Sequence, residues 1–262
     1  MPPTVIIGAG IAGVSAAAAM RSAGHTGEIV LLGNEPELPY RRPPVSKEII
    51  RAEKSADEIR IKKPDWYATQ SITLRTGLTV ESIDPAGHTV QLADGEELAY
   101  DQLLLATGGR ARSPWTASGI RMLRTLADVP RLQAELAAGT PIIVVGAGLI
   151  GSEIAASARG LGCEVTLLET APLPLPRLLP AELAQMYVEL HKAEGTELHT
   201  GVTVESIRDE LDETVVRAND GRSWSAPVVV VAVGMVPNTE LAEAAGIDLA
   251  TADDGGGILV DE

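Results

Sequence analysis

The chain has 262 residues, 45% of them hydrophobic, with 26 glycines, 17 prolines and a net charge of −15. That composition is globular, neither disordered nor collagenous, and the acidic balance argues against a nucleic-acid partner. A single cysteine, Cys163, excludes an internal disulfide framework and a C-x-x-C metal or redox pair, so no metal site is expected.

The length suits one large or two modest domains. Phe is absent and aromatics make up only 3%, so a core has to be built from Val, Leu, Ile and Ala. Met1-Pro2-Pro3-Thr4 runs straight into apolar residues, with no secretory leader. No apolar run approaches the roughly 18 residues of a membrane helix. A reducing, cytoplasmic setting away from membranes is the expectation.

Residues 4–13 read T-V-I-I-G-A-G-I-A-G, a β-prone run followed by Gly8, Gly10 and Gly13 in G-x-G-x-x-G spacing. The pattern predicts a helix over 14–21 and a second strand over 28–32, ending at Gly33-Asn34-Glu35. The first glycine of such a triplet permits the tight turn, the second lets backbone approach a pyrophosphate, and the third lets helix and strand pack closely. The helix N-terminus then offers amide donors and a positive dipole end to the phosphates.

Next comes Leu38-Pro39-Tyr40-Arg41-Arg42-Pro43-Pro44-Val45-Ser46-Lys47-Glu48. Two adjacent prolines stiffen the chain, after which Ser46 is expected to cap a helix carrying Lys47 in its first turn. A lysine there opposes the helix dipole, which implies a partner for it. Residues 41–63 hold eight basic residues against four acidic ones. They read either as a solvated helical surface or as a docking patch for an acidic partner. Residues 1–131 carry 15 Lys+Arg and 15 Asp+Glu, and residues 132–262 carry 6 and 21, so the excess negative charge lies in the second half.

Residues 142–169 repeat the opening logic in fuller form. An apolar run over 142–145 leads into Gly146, Gly148 and Gly151, a small-residue helix over 152–158, and a second strand over 165–168 that ends in Glu169. A carboxylate about 20 residues past the glycines completes a βαβ dinucleotide unit. The duplication runs deeper: T-G-L-T-V-E-S-I at 76–83 is mirrored by T-G-V-T-V-E-S-I at 200–207, Asp94-Gly95 by Asp220-Gly221, and L-L-L-A-T-G at 103–108 by V-V-V-A-V-G at 229–234. Asp-Gly between alternating segments signals a hairpin. The expected fold is therefore α/β, with two tandem Rossmann-like (FAD/NAD(P)-binding) domains, each a parallel sheet plus a small antiparallel β-meander. Two dinucleotides on one chain suggest electron transfer from a nicotinamide to a flavin.

The stretch Y-R-R-P-P-V-S-K, with G-A-G-I-A-G before it and L-L-L-A-T-G-G-R, V-G-A-G-L-I-G-S-E and V-A-V-G-M-V-P-N after it, resembles the FAD-dependent NADH:ferredoxin reductases of bacterial oxygenase systems, within the pyridine nucleotide flavoprotein superfamily. The resemblance covers essentially the whole chain. It implies an FAD-binding domain over 1–109 plus 239–262 and an NAD-binding domain over 110–238. It also implies an A-x-G-D flavin motif and an interface domain, both absent here, so the chain reads as a truncated or fragmentary member.

Carried over by position, the resemblance places Gly8, Gly10, Ile11, Ala12 and Gly13 on the FAD pyrophosphate, with Arg42, Val80, Ala106, Thr107, Gly108 and Arg124 completing the FAD contacts. The ribose carboxylate falls at Asn34, a departure for which Glu35 substitutes. Lys47 and Glu153 form a catalytic pair beside the flavin. Gly146, Gly148, Leu149, Ile150 and Gly151 hold the NAD pyrophosphate, Glu169 its ribose, and Gly234 leaves room for the nicotinamide. A carboxylate at 169 repels a 2′-phosphate and favours NADH. The implied activity is hydride transfer from NADH to FAD, then single electrons to an acidic [2Fe-2S] ferredoxin. Rival readings are an NADH oxidase, a nitrite-reductase-type flavin subunit, or an NAD(H)-binding remnant without catalysis. The dithiol of the disulfide-reductase branch is missing, because its place is taken by Arg42-Pro43-Pro44-Val45-Ser46-Lys47.

Overall fold

The computed structural model describes residues 2–211, 213–251 and 255–260. They form two compact units. One comprises Met1–Arg41, Ala56–Arg110 and Val236–Glu262, the other Arg42–Ser55 and Ala111–Met235. The sequence places Arg42–Ser55 with the first unit, whereas its contacts are with the second.

The first unit opens with β1 (Thr4–Ile7), α1 (Ile11–Ser22) and β2 (Ile29–Leu32). After a 3-10 turn at Ala56–Ile59 come α2 (Pro64–Thr69) and β3 (Ile72–Arg75). The meander β4 (Val80–Asp84), β5 (Thr89–Leu92) and β6 (Glu97–Ala99) precedes the returning strand β7 (Gln102–Leu105), and β8 (Gly109–Ala111) follows. The parallel sheet runs β3-β2-β1-β7. Strand alternation sends Val5, Ile7, Val30 and Leu32 to one face, against Val80, Ile83, Val90 and Leu92 of the meander. Ile6, Ile29 and Leu31 go to the other, against Val14, Ala17 and Tyr67. With both faces covered, β1 and β2 are buried throughout rather than alternating, and all but Thr4 of their residues are apolar.

In the second unit, β9 (Ile120–Arg121) and α3 (Val129–Glu135) lead into β10 (Pro141–Val145), α4 (Leu149–Gly160) and β11 (Glu164–Leu168). Then come α5 (Ala181–Ala193), β12 (Glu197–His199), the meander β13 (Val204–Glu210), β14 (Glu213–Ala218) and β15 (Ser223–Ala226), and the returning β16 (Val228–Val231). The parallel sheet runs β12-β11-β10-β16, with β9 added at the edge. Its meander face is a core of Ile143, Val145, Leu168, Val229 and Val231 on Ile207, Val216 and Ala226. The chain ends through β17 (Met235–Pro237), which pairs with β8, and α6 (Glu240–Ala244), whose Leu241 joins the first meander core.

The duplication extends to irregularities. Each meander carries a register shift at the same place, between Val80 and Ser82 and between Val204 and Ser206. In each, the returning strand donates to the first, Ala106 N to Ile7 O and Ala232 N to Val145 O, both at 2.8 Å. Near the C-terminus, Leu249 and Ile258 form an isolated antiparallel bridge. Asp261 and Glu262 lie outside the described residues.

The segment after Tyr40 departs from expectation. Pro43–Ser46 is a 3-10 turn, and Lys47 is its C-cap rather than part of a helical first turn. The two prolines occupy the first positions of that turn, where missing donors cost nothing. Ser46 does not cap a helix; its hydroxyl goes elsewhere. Nor do residues 41–63 form an α-helical surface, since they contain this 3-10 turn, further turns over 47–52 and a second 3-10 turn at Ala56–Ile59.

Candidate functional site

In each βαβ unit the first strand runs into a turn whose three glycines do different work. In the first, a Cβ at Gly8 would lie 2.1 Å from Ala106 O, and one at Gly13 would lie 2.0 Å from Gly8 O. In the second, a Cβ at Gly146 would lie 2.6 Å from Ala232 O, and one at Gly151 would lie 1.9 Å from Gly146 O. These four glycines are dictated by packing. Gly10 and Gly148 differ, because nothing in the protein lies within 4 Å of a Cβ at either position. Packing does not require glycine there, whereas close approach of a ligand's phosphates does.

The helices leaving these turns suit an anion. Neither α1 nor α4 has a side-chain cap or an acidic residue in its first turn, whereas α2, α5 and α6 carry Asp or Glu there and α3 has Asp128 at its N-cap. The first-turn amides and the positive dipole end are left uncompensated. Beside them, Ile11 is 62% exposed and Leu149 57% exposed, apolar side chains that a bound dinucleotide would cover. The residues present fit a dinucleotide in each unit.

The acidic ends of the two cradles are not equivalent. Glu169 accepts from the Ala147 amide at 2.7 Å through one oxygen and from Ala171 N at 2.8 Å through the other, so the carboxylate is pinned against the glycine turn. Strand register puts Gly33, not Asn34, at the matching place in the first unit. Gly8 N donates to Leu32 O as Gly146 N does to Leu168 O, and Leu78 N donates to Gly33 O as Val202 N does to Glu169 O. A side chain at 33 would collide with Ala9 Cβ at 2.8 Å. Asn34 is exposed, and the carboxylate in this loop belongs to Glu35, which accepts from the Tyr40 hydroxyl.

Lys47 Nζ and Glu153 Oε1 are 2.9 Å apart, each side chain about one-third exposed (34% and 30%). Both belong to the second unit. The other carboxylate oxygen accepts from Ser46 Oγ at 2.5 Å. Ser157, one turn along α4 from Glu153, donates to Ser46 O at 2.8 Å and accepts from Arg51 Nη1 at 3.1 Å. Gln133 Nε2 reaches the carbonyls of Ile49 and Ile50, and Arg42 Nη1 donates to Arg124 O at 2.9 Å. These bonds are why residues 42–55 cluster with the second unit.

The remaining expected positions divide by unit. Ala106, Thr107 and Gly108 adjoin the first glycine turn, and Val80 opens β4 in the core beneath it. Gly234 ends the returning segment of the second unit, at φ +110°. Sequence reasoning missed Asn238, although it closes the V-P-N motif. Its Nδ2 donates to Thr107 O at 2.9 Å, Thr107 Oγ1 donates to Asn238 O at 2.6 Å, and its Oδ1 accepts from Arg110. Ser46 was expected only as a helix cap, and Ser157 and Arg51 were missed as well, since a serine in a small-residue helix and an arginine in a charged stretch carry no outward signal. Cys163 is fully buried, and burial pushes its thiol pKa up. Among the described residues no group of three or more His, Cys, Asp or Glu could hold a metal ion, and no helix is long and apolar enough to cross a membrane.

The putidaredoxin reductase of Pseudomonas putida is 38% identical over 255 residues, covering 94% of this chain and 60% of that protein. The ferredoxin--NAD(+) reductase component of a p-cumate 2,3-dioxygenase system from Pseudomonas putida is 40% identical over 240 residues, covering 90% and 59%. The chain thus spans about three-fifths of the length of these curated relatives. In the crystal structure of a covalent putidaredoxin reductase–putidaredoxin complex, one chain superposes with a TM-score of 0.88 at 36% identity, covering 95% of this chain and 62% of that one. The sequence profile described as "Pyridine nucleotide-disulphide oxidoreductase" matches residues 2–262. With two glycine cradles in one α/β chain and that match along nearly its whole length, the chain belongs to the pyridine nucleotide-disulphide oxidoreductase family.

Proposed function

We propose that this chain carries the nucleotide-binding part of an FAD-dependent NADH:ferredoxin reductase, with FAD on the first unit and NADH on the second. The observation that carries the reading is the duplicated cradle: two turns, each with its middle glycine facing open space and its helix N-terminus uncompensated. When bound, FAD supplies the centre that takes a hydride from NADH and releases electrons one at a time to a [2Fe-2S] ferredoxin. Gly8, Gly10 and Gly13, with the first-turn amides at Ile11 and Ala12, hold its pyrophosphate. Ala106, Thr107, Gly108 and Val80 contribute backbone on the same unit.

On the second unit, Gly146, Gly148 and Gly151, with Leu149 and Ile150, hold the NADH pyrophosphate, and Gly234 leaves room for the nicotinamide. Glu169 takes the ribose hydroxyls. Two backbone amides hold its carboxylate in place, so a 2′-phosphate would meet a fixed negative charge and NADPH is disfavoured. Replacing Glu169 with Ala should narrow the NADH preference by about tenfold, or about 1.4 kcal/mol, measured as the ratio of dissociation constants. Lys47, Glu153, Arg42 and Arg124 all belong to the second unit and are read as its cofactor-contacting residues. A one-third-exposed Lys–Glu pair adds only about 0.2–1 kcal/mol to stability, so we assign the pair to the site's chemistry rather than to folding.

The test is the visible spectrum of the purified protein, followed by anaerobic NADH. Flavin absorbance near one per chain that bleaches with NADH, and recovers with a [2Fe-2S] ferredoxin faster than with dioxygen, supports the reading. Recovery only with dioxygen makes it an oxidase. Colourless protein that still binds NADH makes it an NAD(H)-holding remnant, and either result overturns the proposal.

A further inference from the structure

Residues 42–55 leave the first unit, make their contacts with the second, and return. Several side-chain bonds hold this strap down, and those of Ser46, Ser157 and Arg51 lead to the Lys47–Glu153 pair. Glu153 is the immediate partner of the lysine, but a carboxylate on a helix rotates freely unless its second oxygen is also engaged. Here that oxygen accepts from Ser46 Oγ at 2.5 Å. A carboxylate only accepts, so the serine hydroxyl is the donor. Ser46 is itself fixed at its carbonyl, which accepts from Ser157 Oγ at 2.8 Å. Having donated there, Ser157 accepts from Arg51 Nη1 at 3.1 Å, and Arg51 is charge-balanced by Glu53 at 2.8 Å. The chain of donors runs one way, from Arg51 through Ser157 to the Ser46 backbone, while the Ser46 side chain reaches forward to Glu153.

Burial separates this arrangement from a surface ion pair. Ser46 is 5% exposed and Ser157 1% exposed, while Lys47 and Glu153 stay one-third open. Two buried hydroxyls therefore support one accessible pair. A buried hydroxyl is costly unless its bonds are made. Alanine fits helices better than serine does, and α4 already has alanines at 155, 156 and 158. Serine at 157 gives the helix nothing that alanine would not. It does supply the donor that the Ser46 carbonyl uses.

We propose that Ser46, supported by Ser157 and Arg51, is a positioning residue that clamps Glu153 onto Lys47, so that the second unit presents the lysine ammonium in one fixed place. The inference rests on the reading of Lys47 as part of the redox site, but its test needs neither flavin nor turnover. With both of its oxygens engaged, Glu153 stays turned onto the ammonium and covers one side of Lys47 Nζ. Without the Ser46 hydroxyl, Glu153 turns away and Lys47 Nζ is left open to an acylating reagent.

The experiment is trace acetylation of the whole chain at mildly alkaline pH, with each lysine quantified by peptide mass spectrometry. Lys62 and Lys63 serve as internal references. Ser46→Ala should raise Lys47 labelling severalfold with the references unmoved, and Ser46→Thr, which keeps the hydroxyl, should return it to the wild-type level. Glu153→Gln sets the upper limit of the response. Three results would overturn the clamp: no change at Lys47 in Ser46→Ala, a rise shared by all lysines, or no rescue by Thr. Colourless protein with the expected labelling pattern would sink the reductase reading and leave the clamp standing.

Discussion

Gly148 and Gly151 sit three residues apart in one turn, and a methyl group at each meets opposite surroundings. At Gly151 it would lie 1.9 Å from Gly146 O and 3.2 Å from Ala232 Cβ. Backbone has to move, so Gly151→Ala should cost about 1–3 kcal/mol, as overpacked cores do, and lower the melting temperature. At Gly148 the backbone is in an ordinary region, with φ −73°, and a methyl touches nothing. Gly148→Ala should leave the melting temperature within a degree or two of wild type yet weaken NADH binding by about tenfold or more, about 1.4 kcal/mol. Calorimetry and an NADH titration on both variants check the contrast. Equal melting losses would mean that the middle glycine serves the fold.

His191 gives a prediction of different kind at the same scale. It is buried on α5 with its ring edge toward Tyr187, the centroids 4.8 Å apart, and burial alone pushes its pKa below the ordinary 6.5. As pH falls through about 6.5, the unfolded chain takes up a proton that the native ring refuses, so stability is lost over that window and until the folded pKa is reached. Above about pH 7.5 both states are neutral and the group has no effect. His191→Leu should therefore show a smaller fall in urea midpoint between about pH 7.5 and about pH 5.5 than wild type does. An unchanged fall would assign the acid lability to other groups.

At the scale of elements, the sheets were legible and the strap was not. Apolar runs at 4–7, 29–32, 142–145 and 165–168 could only be strands covered on both faces, and the glycine turns between strand and helix fixed their order. The meanders followed from the repeated T-G-x-T-V-E-S-I octet, because one copy read correctly reads both. Residues 42–55 defeated the same approach. Their prolines and Ser46 match a helix start locally, but the turn is held by bonds to Glu153, Ser157 and Gln133, more than eighty residues away in sequence. The same blindness hid Asn238. Its side chain ties the end of β17 to Thr107, and Arg110 reaches both Asn238 Oδ1 and Glu240, the latter at 2.6 Å. Asn238→Ala removes two side-chain bonds and leaves the two main-chain ones, so the loss should be about 1–2 kcal/mol. Chemical denaturation checks the magnitude, and flavin content per chain should fall with it, since Ala106, Thr107 and Gly108 are the segment released. A variant as stable as wild type would make the Asn238 lock incidental.

For the whole molecule, charge sorts by unit in a way that sequence halves conceal. The first unit carries 7 Lys+Arg and 19 Asp+Glu, net −12, and the second 14 and 17, net −3. Arg41, Lys62 and Lys63 all belong to the strongly acidic unit. Arg41 and Lys63 are exposed, and Lys62 lies over the Trp66 ring at 4.8 Å. If the proposed partner is an acidic ferredoxin, it would meet two opposed fields on approaching this unit. The net charge repels it at long range, and the basic cluster attracts it only within about a Debye length, near 8 Å at physiological salt. These fields predict opposite salt dependences. If the cluster guides encounter, ferredoxin reduction slows as salt rises; if the net charge dominates, salt screens repulsion and reduction accelerates. Taking the cluster as the docking determinant, wild type should slow with salt. The triple change Arg41→Glu, Lys62→Glu and Lys63→Glu should reduce the low-salt rate by about tenfold and reverse the sign of the slope. Stopped-flow ferredoxin reduction across a salt series decides it. The same slope in both proteins would move the docking surface off this cluster, leaving the two nucleotide cradles untouched.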